Sequence, residues 1–251
     1  MNIAIVGYGK MGKMINNLAV KAGHNVSEIV DVVSASKDVT SRDINSIKGC
    51  DAVIDFSSPS SCVSNIEAYM SMGIPSVIGT TGWYDRLEYV KKLVSGNNKL
   101  LYSGNFSVGV AVFMKLTEQA ARLINPLPEY DIAVTETHHK GKADSPSGTA
   151  LMTANKIVSN LDRKKTLLFG NASGVIKDEE LQISSVRLGS VYGVHSVEIN
   201  SFCDTITLTH TAVSREGFAS GAIKAAEWLV QKEGGFYTMD DYINELLKEK
   251  I

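Results

Sequence analysis

Up to about residue 106 the chain runs as short apolar stretches separated by segments of helical periodicity. Asn2 to Val6, Val26 to Val33, Ala52 to Phe56, Ser76 to Ile78 and Leu100 to Tyr102 read as strands, and their alternation with helices predicts a parallel, doubly wound sheet. Between the first two strands Met11, Met14, Ile15, Leu18, Ala19 and Ala22 fall on one helical face, and Gly23 is placed to end that helix. Beyond Phe106 the pattern changes. An apolar helix is expected over Val108 to Ile124, then a break at Asn125-Pro126-Leu127-Pro128, a strand from Tyr130 to Thr137, a His-rich loop, and a helix from Thr149 to Asn160. Leu161 to Asp178 is polar and weakly patterned, which predicts a loop. Val194 to Phe202 and Thr205 to His210 alternate in polarity around Cys203-Asp204 and read as an antiparallel hairpin. Phe218 to Val230 and Asp240 to Lys250 are helical again, the first carrying small residues (Ala219, Gly221, Ala222, Ala225, Ala226) that permit close packing on a sheet. The expected fold is α/β: an N-terminal Rossmann-type sheet over residues 1–106 joined by 216–251, and a second, α+β domain over 107–215.

Composition narrows the function classes. With 251 residues, 44% hydrophobic and 21% charged, the chain is an ordinary globular one with room for two modest domains. A formal net charge of -2 predicts no broad attraction to nucleic acid or an anionic membrane, so any anion site must be local. Cys50, Cys62 and Cys203 lack the spacing of a disulfide framework or zinc site and fit a reducing compartment. Met1 leads directly into Ile3-Ala4-Ile5-Val6, no signal peptide is read, and no apolar run approaches the roughly 20 residues that span a bilayer. A cytoplasmic location is therefore expected.

Two segments carry chemistry. Gly7-Tyr8-Gly9-Lys10-Met11-Gly12 follows a strand and opens a helix, the context in which a glycine fingerprint binds a dinucleotide. Gly7 permits the tight turn, Gly9 lets the backbone approach a pyrophosphate, Gly12 allows close helix-strand packing, and the helix start faces the anion. Asp31, at the end of the second strand, can accept hydrogen bonds from ribose hydroxyls and favours NADH, whereas Lys10 and Lys37 are within reach of the 2′-phosphate of NADPH. Gly79-Thr80-Thr81-Gly82 and Ser103-Gly104-Asn105-Phe106 also follow strands, at the carboxyl edge where open α/β sheets bind ligands, and are expected at the nicotinamide half.

The second segment is Glu136-Thr137-His138-His139-Lys140-Gly141-Lys142, which runs into Asp144-Ser145-Pro146-Ser147-Gly148-Thr149. Proton carriers and cations are dense here, and Ser145 with Pro146 predicts a capped helix start. Free N–H groups, hydroxyls and the charge of Lys142 suit a carboxylate, so a small acid is the expected substrate. A metal is not expected, since adjacent loop histidines rarely share an ion and no matching His or Cys pair stands nearby in the chain. Arg187 and Arg215 are read either as structural ion-pair partners or as site groups, and His195 and His210 as hydrogen-bonded structural residues.

Together these motifs, with Ser107-Val108-Gly109-Val110, Arg187 to His195 and Ser214-Arg215 to Gly221, resemble the 4-hydroxy-tetrahydrodipicolinate reductase (dihydrodipicolinate reductase) family of lysine and diaminopimelate biosynthesis. The resemblance implies that His138 is the acid/base residue, Lys142 a second proton donor, and His139, Ser147, Gly148 and Thr149 substrate binders. It assigns Gly7, Tyr8, Gly9, Lys10, Met11, Gly12, Asp31, Gly79, Thr80, Thr81, Ser103, Gly104, Asn105 and Phe106 to NADH or NADPH. It also implies that the second domain binds a small dicarboxylate and builds a homotetramer, with the C-terminal helices returning to the nucleotide domain. Two competitors weigh less. A semialdehyde dehydrogenase of the acyl-enzyme type needs an activated cysteine, and a redox-sensing NAD-binding regulator has no use for His138 and Lys142.

Overall fold

The computed structural model describes residues 1–248. In chain order its elements are β1 (Asn2–Val6), α1 (Lys10–Lys21), β2 (Asn25–Val30), β3 (Ala52–Asp55), α2 (Pro59–Met72), β4 (Ser76–Ile78), α3 (Leu87–Leu93), β5 (Lys99–Tyr102) and α4 (Val108–Ile124). There follow β6 (Asp131–His138), α5 (Gly148–Val158), β7 (Thr166–Phe169), β8 (Glu180–Arg187), β9 (Val194–Asn200), β10 (Thr205–Thr211), α6 (Glu216–Val230), β11 (Gly235–Thr238) and α7 (Met239–Lys248). The chain divides into two compact units, Met1–Val108 with Glu216–Ile251, and Gly109–Arg215.

The first unit holds a six-stranded sheet in the order β11-β5-β4-β3-β1-β2, parallel throughout. Ile3, Ala4, Ile5, Val53 and Ile54 are fully buried, which is why these strands are apolar without alternation. The chain leaves β1 for β2 on one side and returns to β3 on the other, so the strand order reverses at the carboxyl end of β1, where open α/β sheets form their ligand crevice. On α6, Gly221 lies so close to the chain that an added Cβ would sit 1.7 Å from the Phe106 carbonyl oxygen.

The second unit holds a five-stranded sheet in the order β10-β9-β6-β8-β7, with β6, β7 and β8 parallel and β9 antiparallel to both its neighbours. Ile132 and Val134 of β6, Leu181 and Ile183 of β8, and Val197 and Ile199 of β9 form one buried face with apolar residues of α4 and α5. Burying each such side chain contributes about 1.5–3 kcal/mol before chain entropy is counted.

Several elements depart from expectation. The stretch predicted as a loop over 161–178 contains β7, which lies at the sheet edge and ends at Gly170 in a left-handed conformation. β8 and β11 were not anticipated, and β2 stops at Val30 rather than Val33. The reason for the early stop is local: Asp31 turns back to accept from the amides of Val33 and Ser34 at 2.7 and 2.6 Å. Helix α5 is capped by Ser147, whose hydroxyl accepts from the Ala150 amide, and not by Ser145. The last predicted helix forms as far as Lys248, and its expected end at Lys250 lies outside the described residues. No helix among the described residues is long and apolar enough to cross a membrane.

Candidate active site

In the first unit the glycine loop joins β1 to α1. Gly7 has φ +86°, and an added Cβ would lie 2.3 Å from the Phe56 carbonyl oxygen; at Gly12 it would lie 2.0 Å from that of Gly7. Around Gly9, by contrast, an added Cβ meets nothing within 4 Å, and this N-cap leaves the first amides of α1 without a side-chain acceptor. Two glycines thus let the chain close on itself while the third leaves an open approach to a helix start, which fits a pyrophosphate.

Asp31 is tied to this loop. Its carboxylate accepts from the Tyr8 amide at 2.6 Å besides those of Val33 and Ser34. Burial pushes its pKa up, but the three amides, with the charge of Arg42, outweigh burial and hold it below the usual range. Arg42 itself donates to the carbonyls of Asp31 and Ser34 at 2.9 Å, brought there by a bridge between Val30 and Ser41. The Tyr8 side chain is buried and bonded to Asp38 and Asn16, so only its backbone faces the loop, while Lys10 is exposed and Met11 half-buried.

The other two predicted loops converge on the same region through Phe56, which sequence reasoning did not single out. An added Cβ at Gly79 would strike its ring at 2.2 Å, and the Phe56 and Phe106 ring centroids are 5.8 Å apart. Gly104 borders Thr81, an added Cβ lying 3.8 Å from its methyl group. Beneath these loops Asp55, fully buried, accepts from the Ser57 amide, Thr80 Oγ1, Asn65 Nδ2 and Tyr69 Oη at 2.8–3.0 Å. Ser103 Oγ bonds the Asn105 backbone in both directions, and Asn105 Oδ1 accepts from the Ser107 amide.

In the second unit the buried face changes character toward the end of β6. The alternation that buries Ile132 and Val134 buries Glu136 and His138 next, and strand register sets Glu136 opposite Ser185 and His195, and His138 opposite Arg187. Glu136 Oε1 accepts from the Ser147 amide (3.0 Å), Ser185 Oγ (2.8 Å) and Arg187 Nη2 (3.1 Å). Its other oxygen faces His138 Nδ1 at 3.3 Å and His195 Nε2 at 3.7 Å. Burial raises the Glu136 pKa, but hydrogen bonds from Ser147, Ser185 and Arg187 prevail and keep it ionised.

Burial also lowers His138, more than the Glu136 charge raises it, and pushes His195 down to about 4, with the His138 charge adding to the fall. Both rings therefore rest neutral near pH 7. The Ser147 hydroxyl links His195 (3.2 Å) to the start of α5, so the predicted helix N-terminus and the histidine cluster form one assembly. Lys142 pairs with exposed Asp144 at 2.8 Å, His139 is half-buried beside Gly141, Gly148 is exposed and Thr149 half-buried. Arg187 is both an ion-pair partner and a site residue, since it also donates to the Asp144 carbonyl at 2.6 Å.

Glu136, His138 and His195 offer donor atoms all within 4.8 Å of one another, a set that adjacent His138-His139 had not suggested. The Arg187 guanidinium, however, already compensates the carboxylate on its other oxygen.

A doubly wound sheet with a glycine-rich crossover, followed by a unit presenting proton carriers beside a helix start, defines a nicotinamide-dependent oxidoreductase of the Rossmann type. Family models for the N-terminus and C-terminus of dihydrodipicolinate reductase match residues 1–106 and 109–243. The 4-hydroxy-tetrahydrodipicolinate reductase of Christiangramia forsetii is 36% identical, covering 99% of this chain and 100% of the relative. That of Sulfurimonas denitrificans is 38% identical over 93% of this chain and 94% of the relative. The chain belongs to the dihydrodipicolinate reductase family. Its fold is also that of a dipicolinate-bound dihydrodipicolinate reductase from Paenisporosarcina sp. TG-14, with a TM-score of 0.77, 23% identity, and 95% and 97% of the two chains covered.

Proposed function

We propose that this protein reduces 4-hydroxy-2,3,4,5-tetrahydrodipicolinate to tetrahydrodipicolinate with loss of water, using NADH or NADPH. The observation that carries this reading is the buried row at the end of β6: a neutral histidine, His138, beside an ionised carboxylate and the N-terminus of α5. Gly7, Gly9, Gly12, Asp31, Gly79 to Thr81 and Ser103 to Phe106 hold the cofactor, which supplies a hydride when bound. His139, Lys142 and the Ser147-Gly148-Thr149 helix start hold the substrate carboxylates, the first amides of α5 donating and Lys142 neutralising charge. Departure of the 4-hydroxyl as water leaves a conjugated acceptor, and His138, neutral at rest, takes a proton from solvent and delivers it to the reduced substrate.

Asp31 accepts three amide bonds and has room for one more donor, which suits a ribose hydroxyl. Arg42 beside it offers charge to a 2′-phosphate, so both dinucleotides are taken as cofactors. A cytoplasmic homotetramer completes the reading. Exposed Val186 on the sheet side away from the core and fully exposed Phe202 in the β9–β10 turn support a surface covered by other copies, and mass measurement in solution reads it.

The test is product identity. Purified protein, freshly generated substrate and either reduced dinucleotide should give a product one oxygen atom lighter than the substrate; recovery of unchanged substrate with both cofactors contradicts the proposal.

A further inference from the structure

Glu136 is given no part in the reaction proposed above, yet its carboxylate is 1% exposed and ionised at the centre of a cluster drawn from three strands. An ionised carboxylate so deeply placed is costly unless fully bonded. Only one of its oxygens is. Oε1 takes three donors, while Oε2 makes no hydrogen bond and faces His138 Nδ1, which makes none either, across 3.3 Å. Two orphaned, buried, complementary atoms 3.3 Å apart are placed to act as an orienting pair.

The opposite edge of the His138 ring tells the same story. An added Cβ at Gly193 would lie 3.0 Å from His138 Nε2 and 3.3 Å from Cδ2, so a residue without a side chain stands where any other would cover that nitrogen. Nδ1 points into the carboxylate, and Nε2 is the atom kept uncovered.

We infer that Glu136 is the positioning residue for His138: Oε2 accepts the Nδ1–H, fixing ring orientation and tautomer, so that Nε2 is the nitrogen that takes up a proton from solvent, giving the imidazolium, and then passes it to substrate. Arg187 and Ser185 on β8 and the Ser147 amide hold the carboxylate from behind. His195, on β9 opposite Glu136, stays neutral and fills the space beside Oε2 without adding a competing charge. The charged and titratable groups facing His138 are Glu136 on its own strand, Lys142 and Asp144 from the following loop, Arg187 on β8 and His195 on β9. Of these Glu136, 3.3 Å away, raises the His138 pKa most, against the lowering by Lys142 and Arg187.

The inference rests on the proposed proton delivery by His138, and the experiments separate the two. If His138→Gln keeps wild-type turnover, the proton role itself fails. If His138→Gln is inactive, Glu136→Gln decides the positioning role. A histidine acting as an acid loses activity as pH rises through its pKa, and removing the carboxylate charge removes the main raising influence. Glu136→Gln should therefore lower kcat about 10- to 100-fold, leave NADH affinity unchanged, and move the falling alkaline limb of kcat/KM to lower pH. Glu136→Asp should restore part of the shift. A fall in kcat with the limb unmoved overturns the inference. Nitrogen-15 NMR of wild-type enzyme needs no variant to fold: a neutral His138 protonated at Nδ1 supports the assignment, and one protonated at Nε2 overturns it.

Discussion

Two carboxylates are buried near the ends of strands in this molecule, Asp55 on β3 in the first unit and Glu136 on β6 in the second, and they are buried differently. Asp55 has both oxygens filled by neutral donors: Ser57 and Thr80 on one, Asn65 and Tyr69 on the other. Glu136 has one oxygen filled, in part by the charged Arg187, and the other turned toward two imidazoles without a hydrogen bond. A saturated buried carboxylate is a structural tie, here between the loop after β3 and the loop carrying Thr80. A half-saturated one beside a titratable ring keeps capacity in reserve for a step that moves a proton.

The contrast can be broken most directly at His138. His138→Gln should lower kcat by about 10² to 10⁴ with cofactor affinity retained, read by steady-state kinetics and NADH titration. Lys142→Ala should follow, costing about 10- to 100-fold in kcat/KM as a charged hydrogen bond to substrate is lost, again without weakening NADH. Asp55→Asn should behave in the opposite sense. It places an amide N–H₂ among donors and should destabilise the fold by about 1–3 kcal/mol in thermal or urea unfolding, while the pH dependence of kcat/KM stays where it is in the wild type.

A pH experiment sharpens the same comparison. His195, His138 and His210 all have pKa values depressed in the folded protein, chiefly by burial. Between the ordinary histidine value of 6.5 and the value of about 4 reached by His195, the unfolded chain binds protons that the native state refuses. Stability is therefore full above pH 6.5 and should fall as pH drops through that window, and His195→Asn should flatten the fall in a series of thermal melts. The smallest effect is expected at Arg42, where replacement by Ala should raise KM for NADPH several-fold and leave that for NADH nearly unchanged.

Much of this arrangement is legible in the sequence. The glycine fingerprint reads directly because β1, its turn and α1 are contiguous, and His138 to Thr149 reads as a dense local cluster. What escaped was made by distance along the chain. Glu136 meets His195, Ser185 and Arg187 only through the register of β6 with β8 and β9, and β8 itself was missed because Gln182, Ser184 and Ser185 dilute its apolar alternation. Asp55 looked like an ordinary strand end after Val53 and Ile54, although an acid closing so apolar a run was a signal to ask where its donors are. The cap of α5 was misplaced by two residues because Ser145 and Ser147 are chemically alike, and only the Ala150 amide distinguishes them.

The central claim is tested most directly by following the loss of reduced-nicotinamide absorbance when freshly generated 4-hydroxy-tetrahydrodipicolinate is added to purified wild-type protein and, in parallel, to His138→Gln. Rapid oxidation of NADH or NADPH by the wild type, nearly abolished in the variant, is the result this account predicts. No oxidation of either dinucleotide by the wild type, or equal rates in the two proteins, would contradict it.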